Sequence, residues 1–187
     1  ESDVTKSQYD ASFNRVRFYG TFVSDGTVYD HIQFSNRGKA STYQSGKNKW
    51  GFYFNRTRDF QATDSWGRPY AETWNSLALN ANASPWAPVH RGSAGVEEAL
   101  SHRIHELAGV PALRTHYTHF RVIDSPNESG ETQYDGDLWG LYLALEPTEG
   151  NFINERGLPS GNIYSINGGL GEKKHQGDAP QPADASG

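Results

Sequence analysis

Gly136-Asp137-Leu138-Trp139-Gly140-Leu141-Tyr142-Leu143-Ala144-Leu145-Glu146 decides how this chain is read. The run is apolar and aromatic, is interrupted by glycine at Gly140, and ends on a single carboxylate. Leucine and aromatic side chains fit a covered, pleated surface, so the run reads as a buried strand. A carboxylate at its exit is costly to bury without a partner, which makes Glu146 a residue to follow. Further on, Gly161-Asn162-Ile163-Tyr164-Ser165-Ile166 reads as another short strand, closed by Asn167-Gly168-Gly169.

Working outward, the chain from Phe13 to Phe34 alternates (Val16, Phe18, Phe22, then Val28, Tyr29, Ile32) around Ser24-Asp25-Gly26. Asp-Gly between apolar alternation predicts a hairpin, and Asn36-Arg37-Gly38 closes that unit as a turn. Lys49 to Phe54 is a third strand, with Trp50, Phe52 and Phe54 on one face and Gly51 and Tyr53 on the other. Leu77-Ala78-Leu79-Asn80 is a fourth. Val96, Ala99, Leu100, Ile104 and Leu107 recur at helical spacing, which predicts a helix from Ser93 to Ala108, capped by Ser93 and ended by Gly109 with Pro111 beyond. His116 to Ile123 is a further strand, and Asp124 to Tyr134 an exposed loop. Strands, then one helix, then strands predict an α+β fold: a mostly antiparallel sheet with one main helix packed on one face. The chain divides into a polar segment, 1–12, a domain, 13–168, and a Gly/Pro-rich tail or linker, 169–187. That tail is too poor in apolar surface to order itself and suits a segment held by another body.

The 187 residues suit one domain, and an aromatic share of 13 % excludes a disordered chain. A net charge of −5 with pI near 5.8 provides no global field for nucleic acid or an anionic membrane. No apolar run approaches the roughly 20 residues of a membrane span. With no cysteine, disulfides and thiolate metal sites are excluded. Methionine is absent even at position 1, which reads as a processed precursor, a fragment or an engineered start. The sequons at Asn55, Asn82 and Asn127 suit a glycoprotein that is extracellular or on a cell surface, with chance matches as the alternative.

The segments Val28 to Gly38, Lys47 to Phe54, Leu77 to Asn82, Glu106 to Ala112, Gly140 to Glu146 and Gly161 to Tyr164 stand in an order that resembles the CotH kinase family. The resemblance runs from about Val16 to Gln176. It implies an atypical protein kinase, secreted or surface-bound, using ATP and magnesium, with a kinase-like pair of lobes. This chain corresponds to the amino-terminal, nucleotide-covering lobe, inactive alone. The family's catalytic and metal-binding aspartates fall beyond residue 187, so no catalytic or metal residue is named. Its implied partner is the remainder of the precursor, or a neighbouring subunit that holds the tail. Gly51 and Ser165 stand where the family commonly carries basic residues, and neither supplies the point charge a phosphate needs. A non-catalytic extracellular structural or assembly module that reuses the fold is therefore the alternative. A carbohydrate-binding module stacking sugars on Trp66, Trp74 or Trp86 is a third reading.

Three residues stand out as candidate cofactor contacts. Arg37 binds phosphate bidentately or braces its turn. Lys49 lies on the third strand, next to the missing charge. Glu146 contacts nucleotide or a basic group at the lobe edge, or is a structural carboxylate. Glu97, Glu98 and Glu106 on the helix pair with a strand cation or face solvent. His102 with His105 and His116 with His119 invite a metal, but a spacing of three puts the strand pair on opposite faces. Lys173-Lys174-His175 forms a compact basic cluster.

Overall fold

The computed structural model describes residues 16–37, 47–82, 96–123, 138–167 and 170–177. The segment 1–12, Gly38, Trp86, Ser93, the loop Asp124 to Tyr134 with its sequon Asn127, Gly136, Asp137, Gly168 and the tail beyond 177 lie outside the described residues.

Eight strands and two helices are described. β1 (Phe18–Ser24) and β2 (Thr27–Arg37) form the expected hairpin, joined at Asp25 (φ 47°) and Gly26 (φ 76°). Two left-handed residues match the right-handed twist of the strands they join, which is why Asp-Gly is favoured there. β3 (Lys49–Tyr53) and β4 (Ser76–Asn80) follow. α1 (Val96–Leu107) leads to β5 (Thr115–Arg121) and β6 (Leu138–Leu145), and α2 (Gly150–Asn154) comes after β6. The six strands make one curled, half-barrel antiparallel sheet in the order β1-β2-β3-β4-β6-β5. β7 (Ile163–Asn167) and β8 (Leu170–His175) form a separate two-stranded hairpin. Leu170–His175 falls in the tail whose composition predicts no order, yet it is a strand. Pairing with β7 supplies the backbone bonds its composition does not predict, and Gly177 N–H donates to Asn162 Oδ1 at 2.9 Å.

One face of the sheet carries the core. Trp50 and Phe52 project there from β3 and Leu77 and Leu79 from β4, all nearly inaccessible, with fully buried Tyr142 from β6. Their rings interlock with those of neighbouring strands: Trp50 lies 5.4 Å from Trp139, and Phe120 5.3 Å from Tyr142. Phe22 sits among Phe52, Phe54 and Phe60 at 5.1–5.6 Å. Offset and edge-on contacts of this kind add to plain area burial. Between β3 and β4 the chain makes a long excursion, bridged at Phe60 and Trp74. Its tip is locked by Asp64, which accepts the N–H groups of Trp66 and Arg68 at 2.8 and 2.9 Å.

β2 is bulged where Asp30 and His31 face Thr21: the register shifts between Gly20 and Phe22, and His31 adopts φ 54°. Thr21 Oγ1 donates to Asp30 Oδ1 across the bulge at 2.6 Å.

The helix departs from expectation in how it sits. Its apolar stripe was expected to pack on the sheet, yet Val96, Leu100, Ile104 and Leu107 are all exposed. What ties α1 down is polar: Glu98 to Asn80 on β4, and Glu106 to Arg114 ahead of β5. Periodicity identifies a stripe and is silent about what covers it.

Candidate functional site

The register of the sheet assembles the face opposite the aromatic core. Directly paired residues share a face, so Ser35, Gly51, Ala78 and Leu145 form one row across β2, β3, β4 and β6. Two residues along each strand lies a second row, beginning with the pair Arg37 and Lys49. It continues through Asn80, Leu143 and Tyr117. Ser35, Gly51 and Leu145 of the first row are buried; the second row, polar at Arg37, Lys49 and Asn80, forms its border.

In that border three side chains connect in series. Arg37 Nη1 donates to Asn80 Oδ1 at 3.1 Å, and Asn80 Nδ2 donates to both carboxylate oxygens of Glu98 at 2.8 Å. Glu98 stands in the first turn of α1, so the chain Arg37–Asn80–Glu98 links β2, β4 and the helix. Burial lowers the pKa of Arg37, and the charges of Tyr53 and Glu98 work against it. Tyr117, across the sheet in β5, is pushed up by burial first and then by the charges of Glu97 and Glu98.

Arg37 and Lys49 are thus brought together on one face. Glu146 is elsewhere in kind: its oxygens accept Arg156 Nη1 at 2.9 Å and Nη2 at 2.6 Å, and Oε2 also accepts the Arg114 N–H at 2.9 Å. Arg156 continues to the carbonyls of Phe152 at 2.8 Å and of Ala112. Glu146 therefore anchors the exit of β6 to α2 and to the segment before β5. Lys47 departs from Lys49: its Nζ donates to the Leu141 carbonyl at 2.5 Å and lies 4.5 Å from the centre of the buried Tyr142 ring. Gly140 (φ 107°) has a left-handed backbone that favours glycine, and a Cβ there would stand in ordinary contact with Lys47, 3.7 Å from Nζ.

Gly51 has its own explanation. A Cβ at this position would meet the Tyr53 hydroxyl at 3.3 Å and ring carbons at 3.6 Å. The Tyr53 phenol therefore occupies the space that a basic side chain at 51 would use. Ser165 pairs with Glu172 in the hairpin. Lys173 donates to Gln176 Oε1 at 2.8 Å. The ring of His175 packs against Gly150, where a Cβ would lie 2.9 Å from it. His105 Nδ1 lies 2.7 Å from the Ser101 carbonyl, and among the described residues no three His, Asp or Glu side chains gather as metal ligands. Trp74 is buried at 2 % exposure, whereas Trp66 stands out at 83 %.

Sequence reasoning missed Asn80 and Tyr53. The i, i+2 spacing of Ala78 and Asn80 puts both on one face, but only the register sets that face beside Arg37. The sequence matches no family model and no curated protein. Among the described residues no helix is long and apolar enough to cross a membrane.

Proposed function

We propose that this chain is the nucleotide-covering half of a secreted or surface CotH-like atypical protein kinase, unable to catalyse phosphoryl transfer alone. A kinase-type lobe couples a strand to its helix through a side-chain pair, a strand lysine and a helix glutamate, and that coupling aligns the phosphates. The observation that carries the reading is the Asn80–Glu98 link, which joins the strand before α1 to the first turn of α1. Further support comes from the strand order, in which β6 inserts beside β4 and leaves β5 at the edge. Arg37 and Lys49 provide paired cations next to that link, and a guanidinium fork matches phosphate oxygens. ATP suits the chain at its phosphate end. Magnesium finds no gathered carboxylates among the described residues, and the resemblance puts such ligands beyond residue 187.

A specific observation favours the alternative of a non-catalytic structural module. Asn80, a neutral amide, holds Glu98 where a kinase-type lobe uses a cation. Both readings meet the same test: calorimetric titration of ATP with magnesium into the full chain and into Arg37→Ala. The nucleotide reading expects binding that weakens roughly tenfold or more in the variant, the worth of a charge-assisted hydrogen bond. Absence of binding, or binding indifferent to Arg37, leaves the structural module.

A further inference from the structure

We infer that Lys49 and Asn80 join in an isopeptide bond, which the chain forms on itself with Glu98 as proton carrier and Arg37 as oxyanion donor. The inference goes beyond the nucleotide reading and does not rest on it. Bond formation uses up the charge of Lys49 and leaves Arg37 where it stands.

The register of the sheet brings the reacting pair together. Trp50 pairs with Leu79, so the next residues, Lys49 at the start of β3 and Asn80 at the end of β4, stand opposite each other. Directly opposed residues of neighbouring antiparallel strands have Cβ atoms about 4.5–5.5 Å apart, well within the reach of a lysine side chain. Both project from the face opposite the aromatic core, because each follows or precedes a buried core residue, Trp50 or Leu79. Lys49 is half-buried, and among the described residues no hydrogen bond or ion pair ties its amine elsewhere.

Asn80 is buried, and its amide is held in the orientation that attack requires. Arg37 has only hydrogens to give, so the atom it meets at 3.1 Å is the amide oxygen. The Glu98 carboxylate only accepts, so the atom it meets at 2.8 Å is the amide nitrogen. Attack of the Lys49 amine on Asn80 Cγ moves negative charge onto Oδ1, where the Arg37 guanidinium already donates. Glu98 takes protons from the attacking nitrogen and delivers them to Nδ2. The Nζ–Cγ bond forms, the Cγ–Nδ2 bond breaks, and the nitrogen leaves as ammonium. A lysine ammonium and a primary amide are thereby converted into a secondary amide and free ammonium, with no oxidant or co-reactant. The bond closes the base of the long excursion between β3 and β4, in a chain that has no cysteine for a disulfide.

The test is the intact mass of the purified full chain, followed by tandem mass spectrometry of its tryptic peptides. The wild type is expected to be lighter than its sequence by one ammonia, and to yield a branched peptide that joins Lys49 to Asn80. Lys49→Arg keeps the charge but cannot form the bond, and Glu98→Gln removes the proton carrier; both should show the full sequence mass. A wild-type mass equal to that of the sequence overturns the inference, and that readout needs no variant to fold. An ammonia deficit that persists in Lys49→Arg, or that maps to a cyclised asparagine elsewhere, overturns it as well. A branched peptide retained in Glu98→Gln overturns the role given to Glu98. None of these readouts involves a nucleotide, so their failure leaves the ATP titration of Arg37→Ala to decide the nucleotide reading by itself.

Discussion

At the scale of single residues, the same charge type serves opposite ends. Arg37 donates to the Asn80 amide, whereas Arg156 is spent on a buried carboxylate and two carbonyls. Glu146 is 2 % exposed, so truncating its partner leaves a buried charge uncompensated. We expect Arg156→Met to cost about 3–5 kcal/mol, seen as a lower urea midpoint at unchanged slope. The double variant Glu146→Gln with Arg156→Met should recover a large part of that loss. The sequence marked Glu146 by its position at the end of an apolar run. Its partner could not be read there, because Arg156 lies in a polar stretch and meets Glu146 only through the turn of α2.

At the scale of elements, the strands were legible and the seating of the helix was not. Asp25-Gly26 fixes the first hairpin locally, and the alternation of Trp50, Phe52 and Phe54 fixes the inner face of β3. Strand order depends on partners distant in sequence, so the meeting of Arg37, Lys49 and Asn80 had no local signal. β8 was hidden for a related reason: its stability comes from β7 and not from its own composition. The stripe of α1 offers a direct check. Because Leu100 is 55 % exposed, Leu100→Glu should change the unfolding free energy by no more than about 0.5 kcal/mol. Leu79→Ala, in the core at 1 % exposure, should cost about 2–5 kcal/mol in the same urea experiment. A cost for Leu100→Glu comparable to that of Leu79→Ala would mean that the stripe is covered in solution.

At the scale of the whole molecule, one aromatic core joins the strands from β1 to β6, so injury at any point is felt throughout. Tyr142 provides the means to show this. Burial pushes its phenol up to about 12 from the ordinary 10, with the Trp50 indole acting in the opposite direction. A folded-state pKa above the unfolded one means that the unfolded chain releases this proton first. The stabilising contribution is therefore complete below pH 10 and is lost as pH rises from there through about 12. Urea midpoints measured across that alkaline window should fall for the wild type, and Tyr142→Phe should remove this part of the fall. Loss of β-sheet circular dichroism together with tryptophan emission would report a single cooperative unit.

The irregularity in β2 at Asp30 and His31 reaches further than local geometry. β1 is an outer strand and carries Tyr19 and Val23, which are 71 % and 60 % exposed. A straight border with such side chains would serve as a template for stacking like molecules into fibrils. The kink opposite Thr21 twists the border out of line, so that a second molecule finds no continuous ladder to extend.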